Sequence, residues 1–428
     1  MRVIHFADLH IGVERYGRPL PDRPWNSRVQ DFLDAFDFLV DYAIAEGADA
    51  VIFAGDAYKD REPNQTYQRE FARRIRRLSE AGIATLLLVG NHDLGGAEGR
   101  AHALEIYREL GVPNVWVGDN AWFATNGIRP ILLQTRSGPL QVAILPWPQI
   151  GRYTARNPDA ASEPLEAVFD RVRAEMANVI RLQAESLDPD VPAILAAHIT
   201  VDDRFVLERP GSEQQMQLGT APVLSKASLS AHSFDYVALG HYHNRVQLDL
   251  HTPTFYAGSL QPVDFGEEGE RKGFVVFDLD PRRPKGARIG GSGTPRFVDV
   301  PTRKFVTIEV RPKEPDPMPE VLAAVERRDI RDAIVRVTVH LDEDQRQHFH
   351  PFEVRRLLEE AHYVVHVATP LPERPRFSLP VGVEVRALSP VDALDHYLRA
   401  RKVPDARREK LLTAARELVE DTLGSENA

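Results

Sequence analysis

Side chains able to hold divalent cations stand at the ends of five apolar runs in this sequence. Val3-Ile4-His5-Phe6-Ala7 ends in Asp8-Leu9-His10, and Ala50-Val51-Ile52-Phe53-Ala54 ends in Gly55-Asp56. Leu86-Leu87-Leu88-Val89 ends in Gly90-Asn91-His92-Asp93. Pro192-Ala193-Ile194-Leu195-Ala196-Ala197 ends in His198, and Tyr236-Val237-Ala238-Leu239 ends in Gly240-His241-Tyr242-His243. One polar strand end is ordinary surface chemistry; matching ends on five runs point to a shared site. Hydrolysis of a phosphoester by two metals needs a bridging carboxylate, flanking oxygen and nitrogen ligands, and room for a phosphate. Asp56 is the natural bridge, because a carboxylate can give one oxygen to each cation. Asp8, His10, Asn91, His198, His241 and His243 complete the set. Asp8 and His10 are two apart, so in a strictly extended strand both would point the same way. Hard oxygens mixed with imidazoles suit manganese, iron or zinc better than calcium. His92 is not needed as a ligand and can move a proton near neutral pH, so it is expected to act on the phosphate or the leaving oxygen.

The elements that must position these residues follow from hydrophobic periodicity. After His10 a polar loop carries Arg15, Arg18 and Arg23, which lie close enough to the metal loop to contact phosphate. Asn26 or Ser27 then caps a helix whose apolar positions Val29, Phe32, Leu33, Phe36, Val40, Ala43 and Ile44 keep the helical period up to Gly47. A second helix is expected from about 64 to 80 and a third over about 99–110. Strand–helix–strand–helix–strand up to Asn91 predicts a parallel sheet with right-handed crossovers, whose C-terminal strand ends are where ligands bind. Strands at 130–134, 140–145, 254–257 and 273–277 and a helix over 163–186 predict a second sheet, hence a layered α/β/β/α sandwich. Residues 200–233 read as an extended loop near the site. Arg73, Arg74, Arg76 and Arg77 on the second helix read as a solvated face.

Residues 280–302 are rich in Pro, Gly and Arg and read as a linker. A small α+β unit follows, with no catalytic cluster; His348 and His350 read as solvated. After a second Pro-rich linker at 370–380, Ser389-Pro390-Val391-Asp392 is a strong helix start. It opens a helical hairpin with apolar stripes that include Leu394, Leu398, Leu411, Leu412 and Leu418.

The chain has 428 residues, 43 % of them hydrophobic, a net charge of −10 and no cysteine. That length allows two or three domains. Without cysteine any metal must be held by oxygen and nitrogen. The negative charge argues against a general nucleic-acid coat protein and leaves local phosphate binding open, since a carboxylate-rich metal site is negative until its cations arrive. No signal peptide pattern is seen and no run is long enough to span a bilayer, so a cytoplasmic protein without membrane contact is expected.

The order and spacing of Asp8-Leu9-His10, Gly55-Asp56, Gly90-Asn91-His92-Asp93, His198 and Gly240-His241-Tyr242-His243 resemble the signature of the calcineurin-like metallophosphoesterases. Tyr256-Ala257-Gly258-Ser259-Leu260, Asp264-Phe265-Gly266-Glu267-Glu268-Gly269-Glu270 and Lys272-Gly273-Phe274 resemble the SbcD branch, the nuclease subunits of double-strand-break repair complexes. The resemblance implies a metallophosphoesterase nuclease domain at 1–280, a DNA-capping domain at 303–369 and a helical hairpin at 387–424 that binds an SbcC-like coiled-coil ATPase. It implies two Mn2+ ions, with Mg2+, Fe2+ or Zn2+ as substitutes. Asp8, His10, Asp56 and His243 would hold one ion, and Asp56, Asn91, His198 and His241 the other. His92 would be the catalytic acid, oriented by Asp93. Some members carry a second active-site histidine three residues after the bridging aspartate; here Lys59 stands there, able to neutralise phosphate but a poor proton shuttle. The activity implied is 3′-to-5′ exonuclease action on duplex DNA ends and endonuclease action on single strands or hairpins, by a homodimer paired through the helices at about 64–80 and 99–110. The rivals are a phosphoesterase acting on a small molecule or phosphoprotein, and a non-catalytic DNA-end scaffold.

Overall fold

The structure is a computed structural model that describes residues 1–95, 100–156, 163–204, 206, 222–229, 234–369, 389–400 and 403–425. Its centre is a pair of stacked six-stranded sheets. The first holds β1 (Arg2–Phe6), β2 (Ala50–Phe53), β3 (Ala84–Leu88) and β4 (Val115–Gly118), all parallel. Alternate residues of these strands serve two cores. Ile4, Phe6, Val51, Phe53 and Leu87 face the helices α1 (Ser27–Ala45) and α2 (Gln65–Glu80), while Val3, Ile52, Leu86 and Leu88 face the other sheet. This two-sided burial explains why the runs are apolar throughout instead of alternating with polar residues.

The second sheet holds β5 (Ile131–Thr135), β6 (Gly138–Leu145), β7 (Ala193–His198), β10 (Tyr236–Gly240), β11 (Val246–Leu248) and β12 (Thr254–Tyr256). Short strands β8 (Thr200–Val201) and β9 (Val223–Leu224) pair with each other beside it. Ile131, Val142, Ile144, Ile194, Ala196 and Ala238 meet the first sheet in the shared core, and the helix Leu165–Glu185 covers the outer face through Val168, Val172, Met176 and Ile180. The layers are therefore α/β/β/α.

Asn26, not Ser27, caps α1, accepting from the N–H groups of Arg28 and Val29 at 3.0 and 3.2 Å. Arg74 and Arg77 correct the reading of a solvated face, because both reach Asp37 of α1 and fasten the two helices together. The third expected helix is shorter than its sequence range, covering Glu105–Glu109. Its neighbourhood is held by Asp119, which takes Arg108 at 2.6 Å and His102 at 3.0 Å.

Residues 280–302 are not a free linker. The strand expected at 273–277 in the second sheet is instead β13 (Gly273–Asp278) of the first, antiparallel to β1, and after it the chain returns as β14 (Arg296–Asp299), the edge strand of that sheet. Buried Arg288 is fixed by Asp235 and by the carbonyls of Val191 and Pro189. Pro and Gly mark the turns here, while the pairing of the strand is set by β13.

The small unit is a parallel three-stranded sheet of β15 (Phe305–Val310), β16 (Ile334–Val339) and β17 (Tyr363–Ala368), with helices Met318–Glu326 and Pro351–Leu357. It is tied to α1 by a two-pronged contact from Arg303 to Asp31, at 2.8 and 2.7 Å. The second linker lies outside the described residues. The hairpin consists of helices Pro390–Ala400 and Asp405–Ser425, joined by an Asp395–Arg408 ion pair. Leu398 and Leu412 are buried, and Tyr397, Leu411 and Leu418 are exposed. Among the described residues no helix is long and apolar enough to cross a membrane.

Candidate metal centre

The strands β1, β2 and β3 of one sheet and β7 and β10 of the other end along a common edge, and the polar residues that follow them converge there. Asp8, His10, Asp56, Asn91, His198, His241 and His243 are all buried. The backbone bends sharply to aim them. Asp8, His10, Asp56 and His241 have φ of 52°, 47°, 64° and 96°. Side-chain-bearing residues in the left-handed region cost of order 1–3 kcal/mol each and cluster at functional sites. Asp8 and His10 therefore do not converge by strand alternation: β1 stops at Phe6, and both sit in a turn beyond it. That turn is pinned to the next strand end, because the N–H groups of Leu9 and His10 donate to the carbonyl of Asp56.

Three overlapping groups each bring their ligand atoms within 4.8 Å of one another: Asp8, His10 and His243; His10, Asp56 and His92; and Asp56, His198 and His241. Asp56 and His10 each belong to two. Asn91 joins the third group, its amide oxygen 2.9 Å from His198 Nε2 and 3.0 Å from His241 Nδ1. Gly90 is required by this closeness, since a Cβ there would lie 2.2 Å from Asp56 Oδ1.

The donor set fits divalent cations. The His198 Nδ1–H donates to the Ala54 carbonyl at 2.7 Å, which turns Nε2 toward Asp56 Oδ2 at 3.3 Å and the Asn91 oxygen. The His243 Nδ1–H donates to Glu267 at 2.8 Å, which leaves Nε2 facing His10 Nε2 at 2.9 Å. Lone pairs thus point inward at both ends of the cluster. Burial raises the Asp8 carboxyl to about 6, with His243 and His198 opposing the rise and Asp56 adding to it. Burial disfavours the charged form of His198, yet Asp56 beside it lifts the group to about 9. Metal ligands bind in their deprotonated forms, so a cation beside Asp56 would displace the proton that Asp56 favours on His198.

His92 lies on the rim, half-buried, with its ring edge-on to His10 at 5.0 Å. Its Nδ1–H donates to the Lys59 carbonyl at 2.5 Å. Asp93 does not orient it. That carboxylate instead accepts from the N–H groups of Asp56, Ala57 and Gly90 at 2.8, 2.8 and 3.0 Å, clamping two metal loops together. Lys59 has an exposed side chain, with its backbone rather than its ammonium reaching His92. Arg15, Arg18 and Arg23 are exposed. Arg18 is turned toward the small unit, donating to the Ala361 carbonyl at 3.1 Å.

Some residues at the site are not evident from ligand chemistry. Trp147 follows β6 and packs its ring against His241 at 4.7 Å and His198 at 5.9 Å. Its run, Leu145-Pro146-Trp147, also ends at the common edge, but indole cannot ligate a cation. Arg61 donates to the Asn91 carbonyl at 3.2 Å. Glu267 lies in a stretch notable for its resemblance but gives no sign of its partner His243.

Residues 1–245 match the calcineurin-like phosphoesterase family, and the chain belongs to it. Among its relatives, the DNA double-strand break repair protein Mre11 of Aeropyrum pernix is 26 % identical over 72 % of this chain and 63 % of its own. The protein of the same name from Haloferax volcanii is 28 % identical over 78 % of this chain and 60 % of its own. The SbcD component of the SbcCD nuclease of Bacillus subtilis is 27 % identical over 66 % of this chain and 67 % of its own. The chain thus spans less than two thirds of the length of the two archaeal relatives.

Proposed function

We propose that this protein is a manganese-dependent DNA nuclease that processes DNA ends in double-strand-break repair and recombination. It would act in the cytoplasm as the nuclease partner of an SbcC-like ATPase. The observation that carries the reading is the convergence of Asp8, His10, Asp56, Asn91, His198, His241 and His243 around Asp56, with His92 beside them on the rim. Asp8, His10, Asp56 and His243 hold one cation in this reading, and Asp56, Asn91, His198 and His241 hold the other. Such a pair supplies positive charge for the phosphate and an activated water. The chain's own residues do the rest. Asp56 is shared between the two positions, Asn91 contributes a neutral oxygen, and His92 gives a proton to the leaving oxygen. Arg15 and Arg23, exposed on the loop that follows His10, and Lys59, whose backbone holds His92, would make the phosphate contacts, which position a nucleic acid without reading its sequence.

The names of the relatives support DNA as substrate over a small ester. So does the small unit, which the two-pronged Arg303–Asp31 contact and Arg18 seat against the 10–31 segment beside the site; in this reading it caps the DNA. Exposed Ile106 and Leu110 on and beside the helix Glu105–Glu109 suit a homodimer contact that puts two sites on one DNA end. The test is digestion of end-labelled duplex DNA with Mn2+ or Mg2+, beside a small phosphodiester. Manganese-stimulated shortening from the 3′ end is the expected result. Hydrolysis of the small diester with intact DNA would favour the small-substrate phosphoesterase, and DNA binding without any hydrolysis a scaffold.

A further inference from the structure

The turn at 264–270 carries two neighbouring glutamates that face opposite ways. Glu267 is fully buried and points at the metal centre. Its Oε1 accepts from His243 Nδ1 at 2.8 Å, while its Oε2 pairs with buried Lys272 at 2.7 Å and accepts from Val263 N at 3.1 Å and Ser259 Oγ at 3.3 Å. Lys272 also donates to the His243 carbonyl at 3.0 Å, so the pair grips both the ring and the backbone of that residue. Glu268 faces the small unit. It accepts from Thr307 N at 2.9 Å and from Thr307 Oγ1 at 2.5 Å, and Thr307 Oγ1 in turn accepts from Arg336 Nε at 2.8 Å. Arg336 closes the contact by lying over the ring of Phe265, 4.3 Å from its centre. Phe265 also meets Phe305 at 4.9 Å and Tyr16 at 5.6 Å. Tyr16 lies on the loop that leaves His10.

A carboxylate on the far nitrogen of a metal-binding histidine fixes its tautomer and ring orientation, and removing it costs about 10- to 100-fold in metal affinity. Here that carboxylate sits on a one-turn element, Phe265–Glu267, whose outer face is packed into the small unit. Movement of the small unit away from this turn would pull on Glu268 and Phe265, and the ring of His243 would lose its support.

We propose that the 264–270 turn is a joint through which the seating of the small unit sets the grip of His243 on its cation, with Glu267 as the positioning residue and Phe265 and Glu268 as the link. The inference rests on the two-cation reading of the site. Calorimetric titration of Mn2+ into the full chain, with elemental analysis, tests it without reference to cleavage. Glu267→Gln should weaken one of the two manganese sites by about 10- to 100-fold and leave the other unchanged. Glu268→Gln, and separately Arg336→Met, touch no candidate ligand, yet should weaken the same site by about 2- to 30-fold. If Glu267→Gln fails to fold, Glu267→Gln with Lys272→Met removes the buried pair together and serves instead. Wild-type affinity at both sites in Glu267→Gln would overturn the positioning role. Unchanged affinity in Glu268→Gln and Arg336→Met, with hydrogen exchange showing the 305–368 unit loosened, would overturn the link. In both cases the wild-type chain still takes up two ions, so the site reading stands; uptake of fewer than two by the wild type would overturn both.

Discussion

His92 is held by the backbone of Lys59, not by the carboxylate that follows it in sequence: its Nδ1–H donates to the Lys59 carbonyl at 2.5 Å. That bond fixes the neutral ring with its proton on Nδ1 and its lone pair on Nε2. A second proton on Nε2 makes an imidazolium whose charge the carbonyl stabilises, which suits a group that gives a proton to a departing alkoxide. The contact to His92 is made by the main chain of Lys59, so it does not depend on which side chain stands at position 59.

His92→Gln should therefore lower cleavage by about 10²–10⁴-fold, the range for losing a positioned acid, while both manganese ions are retained. Elemental analysis decides between this role and the alternative raised by its nearness to His10 and Asp56. Loss of one ion would make His92 a ligand.

Asp56→Asn should empty both positions. The carboxylate lies 3.3 Å from His198 and 3.8 Å from His10, the two ends of the cluster, so one neutralised charge is felt at both. Manganese content near zero in a protein that keeps its fold, judged by circular dichroism, is the expected outcome. A full complement would exclude Asp56 as the bridge.

Asp93 and Gly90 show how closely stability and site are bound together. Asp93→Ala would leave the N–H groups of Asp56, Ala57 and Gly90 without their acceptor. Hydrogen bonds to a charged group contribute about 1.5–3 kcal/mol each, and partial relaxation makes a loss of roughly 3–5 kcal/mol in urea unfolding the expected result. Gly90→Ala drives a methyl into Asp56 Oδ1 and the Asp56 backbone. It should cost about 1–3 kcal/mol by overpacking and weaken manganese binding as well. A Gly90→Ala protein with wild-type stability and metal content would show that the loop yields.

The strand ends carrying Asp8, Asp56, Asn91, His198 and His241 were legible because each apolar run is buried on both faces and stops abruptly at a polar residue. The left-handed backbone that aims Asp8 and His10 was not, since nothing in Asp-Leu-His distinguishes an extended strand from a turn. Asp93 was misplaced for a related reason: adjacency in sequence suggests a partner for His92, whereas its three N–H donors come from two different loops. β14 was hidden because Gly and Pro dominate 280–302, and a four-residue edge strand is specified mainly by the strand it joins. Glu267 and Lys272 were hidden because an ion pair's burial depends on distant elements, and charged residues on a turn are ordinarily solvated.

The hairpin gives the last prediction, and the structure refines which residues carry it. Leu398 and Leu412 are buried at 5 % and 8 % exposure, so they hold the hairpin together. Among the described residues Tyr397, Leu411 and Leu418 are exposed at 39 %, 41 % and 68 %, and the two leucines are the positions tested for contact with a second protein. An amphipathic helix pair of this kind suits docking on the base of a coiled coil. Burying each exposed leucine would contribute about 1.5–3 kcal/mol before ordering costs. Leu411→Glu with Leu418→Glu should then abolish co-purification with an SbcC-like ATPase while metal-dependent cleavage of single strands persists. Leu412→Glu should act differently, unfolding the hairpin itself and lowering its helical signal. A pull-down with the ATPase separates the two cases, and undiminished binding by the Leu411/Leu418 double variant would rule out this face as the contact.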